Sequence, residues 1–263
     1  MNPKIHPTAL VDSSAEIAPD VVIGPYAIVE AKTRIAEGCI IDAHVRVAEG
    51  TTLGRECHVF QGAILGSVPQ DLKFGGEDSY LNIGERTTIR EYATLNRGTE
   101  HGGLHTTVGD DCLIMAYGHI AHDCHIGNSV IFANCSMLAG HVTLGDFVNV
   151  SGLVAIHQFV KVGNYSYIGG LARVSQDLPP YILAGGEPLG YRGPNVVGLR
   201  RKGFTSEQIA TIKKAYSYIY RTKLNLKQAV DKLKSEMTMT AEVEYILEFI
   251  DSATRGITGR GSD

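Results

Sequence analysis

Residues 17–47 read IAPDVVIGPYAIVEAKTRIAEGCIIDAHVRV, and every sixth position from the first, Ile17, Ile23, Val29, Ile35, Ile41 and Val47, is aliphatic. Outward from this stretch the series extends back through Val11 to Ile5 and forward through Leu53 and Val59 to Leu65. It returns at Ile83, Ile89 and Leu95. From Val108 it runs through Ile114, Ile120, Ile126, Phe132, Leu138, Leu144, Val150, Ile156, Val162 and Ile168 to Val174. An α-helix repeats its apolar stripe at about 3.6 and a lone strand alternates at two, so neither explains a period of six. A short strand, a turn and the next short strand do give six. Three such units close a triangular coil, and coils stack at the parallel-strand spacing of roughly 4.8 Å. The aliphatic positions then fill the prism. Glycines that follow them (Gly24, Gly54, Gly84, Gly109, Gly127, Gly145, Gly163), with small residues, are expected to turn its corners. The fold class is mainly β, a parallel β-helix.

Composition bounds the function. The net charge of −4 over 263 residues gives no basic excess for nucleic acid or an anionic membrane. No run of about 18 apolar residues occurs, so no membrane span is expected. The start, MNPKIHPTALVDSS, has no apolar signal region, and the 5 cysteines include no C-x-x-C pair. A cytoplasmic protein with reduced thiols is expected. Cys39, Cys57, Cys112 and Cys124 all fall at the fifth, small position of a hexad, which makes them packing residues.

Two interruptions and one ending organise the chain. From Leu65 to Ile83 the register survives, but Asp71 and Glu77 stand in aliphatic slots, so SVPQDLKFGGEDS is expected to leave the solenoid as an outward loop near 68–80. The step from Leu95 to Val108 does not divide by six, which places a second loop near 98–107. The period ends at SQDLPPY, where two prolines break it. A helix opened by a capping box from Thr205 to Gln208 follows, then NLKQAVDKLKSEM and TAEVEYILEFIDSATRG, the last ended at Gly256. The expected division is a β-helix over 1–190 and a small α-helical domain over 191–263 that caps its end.

The chemistry gathers around histidine. The hexads beginning at Ile120, Leu138 and Ile156 lie one coil apart and carry His122, His141 and His157, with His119 and His125 flanking them. A neutral imidazole on such a face suits a general base. Asp123 would orient His122, although strand neighbours point oppositely, so the pairing needs a turn. Gly140, beside His141, offers an unobstructed backbone N–H for an oxyanion. The same histidines admit a metal-ligating reading of the kind found in gamma-class carbonic anhydrases.

SVPQDLKFGGE, IREYATLNRGT, HIAHDCHIGN, MLAGHVTLGD, AIHQFVKVG and LRRKGF occur in this order. Together they resemble the family of bacterial UDP-N-acetylglucosamine O-acyltransferases that begin lipid A synthesis, over essentially the whole chain. The resemblance implies a left-handed hand for the hexapeptide-repeat solenoid and a homotrimer with active sites between subunits. It also implies transfer of an (R)-3-hydroxyacyl group from acyl carrier protein to the sugar 3-position of UDP-N-acetylglucosamine. No cofactor and no metal are implied, because the carrier-protein thioester is a co-substrate. His122 is then the general base, Asp123 its partner and Gly140 the oxyanion donor. Asp71, Lys73, His119, His141 and His157 contact substrate, and Gln158, Asn195, Arg201 and Lys202 hold the UDP part. Gly170 stands where the family sets acyl length, and its missing side chain implies a long chain. Two positions depart from the family pattern. Val197 stands where an acidic residue is expected, and Lys202 gives a point charge in place of the usual arginine fork. Arg200, Arg201, Lys202, Lys213, Lys214, Arg221 and Lys223 form a candidate surface for the acidic carrier protein, with a solvated helix face as the alternative. N-acylation of a 3-amino sugar remains open beside O-acylation.

Overall fold

The computed structural model describes residues 3–259 and closes the hexads into coils. Lys4 pairs in parallel with Val22, Val22 with Ile40, and Ile40 with His58, one coil to the next. Most strands are only 2 residues long. They assemble into three sheets of 11, 9 and 8 strands, the faces of a triangular prism. The first face is entered at Lys4–Ile5, the second at Leu10–Val11 and the third at Glu16–Ile17. The aliphatic residue of each two-residue strand points inward, so Ile41, Val59, Leu65, Ile89, Leu95, Ile114 and Leu138 are fully buried. Its predecessor points out. Dispersion and burial along this inner column make the prism a single continuous core.

The corners correct the glycine expectation. The residue that takes the left-handed backbone is usually not glycine: Tyr117, Asp123, Cys135, His141, Phe147 and Tyr165 all have φ between 58° and 62°. Left-handed backbone costs such residues about 1–2 kcal/mol each. The stacking offsets it, because each of these N–H groups donates to the coil before, to a carbonyl at every position but Asp123, whose acceptor is the Thr106 hydroxyl; His141 donates to His122 at 3.0 Å and Phe147 to Asn128 at 2.8 Å. The glycines serve close approach instead. A Cβ on Gly109, Gly127 or Gly145 would stand 2.6, 2.6 or 2.1 Å from the side-chain oxygen of Asn128, Asp146 or Asn164. Those oxygens form a ladder along the corner between the third and first faces. Asp110 accepts from Glu85 N–H, Asn128 from Asp110, Asp146 from Asn128 and Asn164 from Asp146, at 2.6–3.0 Å.

The last coil is closed by a hairpin and helices. Ile182–Gly185 joins the first face in parallel, and Gly190–Pro194 returns antiparallel, so the sheet runs past residue 190 to Pro194. Among the described residues four helices follow: α1 (Val196–Arg201), α2 (Ser206–Tyr220), α3 (Leu226–Glu236) and α4 (Ala241–Ser252). The Thr205–Gln208 capping box opens α2. Helix α2 buries Ile212 and Tyr216, and the Tyr216 hydroxyl donates to the Pro180 carbonyl at 2.5 Å, tying the cap to the last coil. Helix α4 stops at Ser252, short of Gly256. The buried Asp177 carboxylate, from the end of the solenoid, accepts the Thr254 and Arg255 N–H groups at 2.9 and 3.1 Å and draws the chain out of helix.

Candidate active site

The segment HIAHDCHI turns the corner between the second face, at His119–Ile120, and the third, at His125–Ile126. Asp123 takes the left-handed conformation there, with φ 58°, which supplies the turn that the neighbouring pair requires. His122 Nδ1 lies 2.7 Å from Asp123 Oδ2. An ionised carboxylate only accepts, so in the neutral ring Nδ1 carries the proton and Nε2 keeps its lone pair. Both residues are buried, at 7% and 1% exposure. Burial alone would push the Asp123 carboxyl up. The hydrogen bonds from His122 and Thr99 outweigh it and hold the group below its ordinary value.

The second loop completes this corner. It leaves the solenoid after Thr94–Asn96, forms one short 3-10 turn at Glu100–Gly102, and re-enters at His105–Val108. Thr99 gives its N–H to Asp123 Oδ1 at 2.7 Å and its hydroxyl to Oδ2 at 2.6 Å. The Asp123 N–H in turn donates to Thr106 Oγ1 at 2.8 Å. A Cβ on Gly102 would fall 1.9 Å from the carboxylate carbon, so only glycine fits beneath it. Thr99, Gly102 and Thr106 were not legible as site residues. The only signal was that the loop breaks the period just before His122.

Gly140, one coil on, packs against the imidazole. A Cβ there would stand 2.5 Å from His122 Cε1 and 2.7 Å from Nε2. His141 follows, its ring edge-on to His122 with centroids 5.1 Å apart, and Phe159 stacks on His141 at 4.5 Å. Burial lowers the His141 pKa, against the raising effect of Asp123, and burial with His122 lowers that of His119. His119 Nδ1 pairs with the Thr94 hydroxyl at 2.8 Å on the second face. His157 is exposed, bonded to the Gln158 carbonyl at 3.1 Å, and Phe159 rather than His157 continues the column.

The first loop leaves after Ile64–Ser67 and returns at Tyr80. The Asp71 carboxylate accepts the Lys73 N–H at 3.0 Å, and Asp71 lies close enough to His141 to act on its charge. Lys73 is exposed. Glu77 accepts the Glu100 N–H at 2.9 Å, and the Arg97 guanidinium lies 5.5 Å from the centre of the Phe74 ring, so the two loops are fastened together.

The remaining expected residues lie elsewhere on the prism. A cavity of about 410 Å³ opens between the first face and α1, lined by Asn195, Arg201 and Lys202 together with Phe147, Tyr165 and Val197. Asn195 also caps α1, accepting from Gly198 N–H at 3.2 Å, and donates to the Tyr165 carbonyl at 2.9 Å. The Lys202 ammonium sits 4.6 Å above the Phe147 ring. Within one chain this cavity sits along the corner between the first and third faces, while His122 sits between the second and third. Gly170 lies at the third kind of corner, between Tyr167–Ile168 of the first face and Arg173–Val174 of the second. The space over it is bounded by the Gly152 carbonyl, 3.2 Å from an added Cβ.

His122, Asp123 and His141 offer ligand atoms within 4.8 Å of one another. His122 Nδ1 and both Asp123 oxygens are already engaged in the bonds described. The donor set thus fits a hydrogen-bonded dyad better than a chelate.

Comparison with known proteins places this architecture. Residues 177–258 match the family model described as UDP-N-acetylglucosamine O-acyltransferase, domain 2, and residues 105–140 match the bacterial transferase hexapeptide model. An acyl-(acyl-carrier-protein)–UDP-N-acetylglucosamine O-acyltransferase of Anaeromyxobacter dehalogenans (strain 2CP-1 / ATCC BAA-258) is 48% identical over 254 residues, covering 97% of this chain and 99% of that protein. One of Stenotrophomonas maltophilia (strain K279a) is 45% identical over 96% of this chain and 97% of its own. Among solved structures, the UDP-N-acetylglucosamine acyltransferase of Bacteroides fragilis 9343 superposes with a TM-score of 0.94 at 40% identity, covering 96% of this chain and 99% of that one. The hexads wind in the left-handed sense of that architecture.

Proposed function

Because the chain belongs to the family of acyl-(acyl-carrier-protein)–UDP-N-acetylglucosamine O-acyltransferases, we propose that its histidine corner is the acyl-transfer centre of that reaction. The chain is an acyltransferase of the first step of lipid A biosynthesis, and UDP-N-acetylglucosamine and acyl carrier protein are its substrates. The observation that carries the mechanism is the His122–Asp123 pair, which leaves Nε2 as the free basic atom beside Gly140. Nε2 takes the proton of the sugar 3-hydroxyl as its oxygen attacks the (R)-3-hydroxyacyl thioester carbon. The carbonyl electrons move to an oxyanion, which the Gly140 N–H receives. Collapse expels the carrier thiolate, which takes the proton back from the imidazolium. No acyl-enzyme and no cofactor enter this scheme.

The placement of the other residues supports a homotrimer. Tyr26, Tyr117, Leu153 and Leu171 are 57–74% exposed along the corner between the first and second faces, whereas the third face presents Arg34, Thr52, His125 and Lys161. Three copies packed around that apolar edge would set the second face of one opposite the first face of the next across a cleft. His122, His119, His141, Asp71 and Lys73 of one copy would then meet the Asn195–Lys202 cavity of its neighbour. Arg201 and Lys202 suit the diphosphate. Gln158 and His157 lie on the His122 side, with Gly170 at the inner edge of the second face, where a long acyl chain would run past Met137 and Ala155. Among the described residues no helix is long and apolar enough to cross a membrane, and we place the enzyme in the cytoplasm with its carrier protein.

The decisive measurement is acyl transfer from (R)-3-hydroxyacyl carrier proteins of several lengths to UDP-N-acetylglucosamine. His122→Ala is expected to lower kcat by about 10²–10⁴-fold with the fold retained. An unaffected mutant would remove His122 as the base, and turnover confined to a 3-amino sugar would move the chain to N-acylation.

A further inference from the structure

The residue that fixes the His122–Asp123 pair comes from outside the solenoid. We infer that Thr99 is a positioning residue of acyl transfer: by engaging both carboxylate oxygens of Asp123 it sets the orientation of His122 and the basicity of Nε2. This rests on the acyl-transfer reading of the corner.

Asp123 Oδ1 is held by the Thr99 N–H at 2.7 Å, and Oδ2 is shared between the Thr99 hydroxyl at 2.6 Å and His122 Nδ1 at 2.7 Å. Thr99 is 1% exposed, so water does not substitute for it. Two donors on two oxygens stop rotation of the carboxylate about its Cβ–Cγ bond, and Gly102 closes the space beneath it. The imidazole, bonded to an oxygen that cannot turn, keeps Nε2 outward. The shared oxygen also sets a competition. Density that Oδ2 gives to the Thr99 hydroxyl is withheld from Nδ1–H, so Thr99 restrains how strongly Asp123 favours the imidazolium.

Other charged groups face the pair. His141 Nε2 is 3.7 Å from Asp123 Oδ2 across the coil, and His119 senses His122 from the second face. Asp71 and His125 act on His141, and His101 in the second loop acts on Glu77. None of these donates to the carboxylate at hydrogen-bond distance, so Thr99 is the control point among the described residues. The loop that carries it also supplies the Glu100 N–H to Glu77 in the substrate-facing loop, which links the two at adjacent residues.

The test compares wild type, Thr99→Val and Thr99→Ser in the intact chain. Thr99→Val keeps shape and backbone and removes the hydroxyl. Expected are a fall in kcat of about tenfold as the imidazole loses its fixed orientation, KM values for both substrates within about twofold, and an acidic limb of the pH–kcat/KM profile moved to higher pH. Thr99→Ser should restore all three. A ¹⁵N titration of His122 gives a substrate-free readout, and the valine variant should show a raised imidazole pKa. If kcat falls with an unmoved pH profile and titration, Thr99 merely supports the loop and the inference fails. It fails equally if valine leaves rate and titration unchanged. If wild type shows no turnover on this sugar or its 3-amino analogue while the titration moves as stated, the acyl-transfer reading fails and the Thr99–Asp123–His122 coupling stands.

Discussion

At the residue scale, the site depends on two glycines whose missing side chains make room for other groups. Gly140→Ala would place a methyl 2.5 Å from His122 Cε1 and force the ring aside. A displacement near 1 Å costs about 10²-fold in turnover, so initial rates should fall by that order while far-UV dichroism stays unchanged. His119 and His141 give a pH signature in stability. Burial holds both below the ordinary value of 6.5, so the unfolded chain binds more protons in the acidic window. Their contribution is complete above pH 6.5 and is lost as pH falls through their folded values. Urea midpoints should therefore drop between pH 7.5 and 5, and His119→Gln should flatten part of that slope. Of this chemistry, His122 and His141 were legible because their hexads, beginning at Ile120 and Leu138, lie one coil apart and put them on one edge. Thr99 was not, because the loop that breaks the period also hides where its residues land.

At the element scale, the strands are two residues long and cannot stand alone, so stability lives in stacking. Leu138→Ala, in the fully buried column, should cost about 2–5 kcal/mol in chemical denaturation. Asp146→Ala removes one rung of a more exposed ladder and should cost about 1 kcal/mol. The period of six decided strand positions because burial enforces it at every coil. Glycine was harder to interpret. Its recurrence after the aliphatic residue is plain in the sequence, but the sequence does not say whether positive φ or close approach demands it. At Gly109, Gly127 and Gly145 the cause is a side-chain oxygen from the adjacent coil. The end of α4 was misplaced for a similar reason, since Asp177 reaches it from far away in sequence.

At the scale of the whole molecule, the two halves of the substrate set belong to different corners of one prism, and assembly would bring them together. Leu171→Asp places charge at the proposed axis and should shift the mass by light scattering from three copies toward one, with activity lost in parallel. Charge reversal at the exposed Lys213 and Lys214 of α2 should raise KM for acyl carrier protein and leave that for the sugar nucleotide unchanged. An unchanged carrier KM would assign those two to a solvated helix face.

The coil also limits how this chain can change in length. Residues lie above one another only at intervals of one full turn, as His119 lies below Met137 and Met137 below Ala155. Inserting a single hexad between His122 and Gly140 would carry every later residue round to the next side of the triangle, separating imidazole from oxyanion donor without disturbing a single inward aliphatic. A gain or loss between them is tolerated only when it bulges outside the wall, as the two loops do. Indels are in this sense read in a three-letter frame whose letters are hexads, and an out-of-frame change abolishes the site while leaving a well-folded protein.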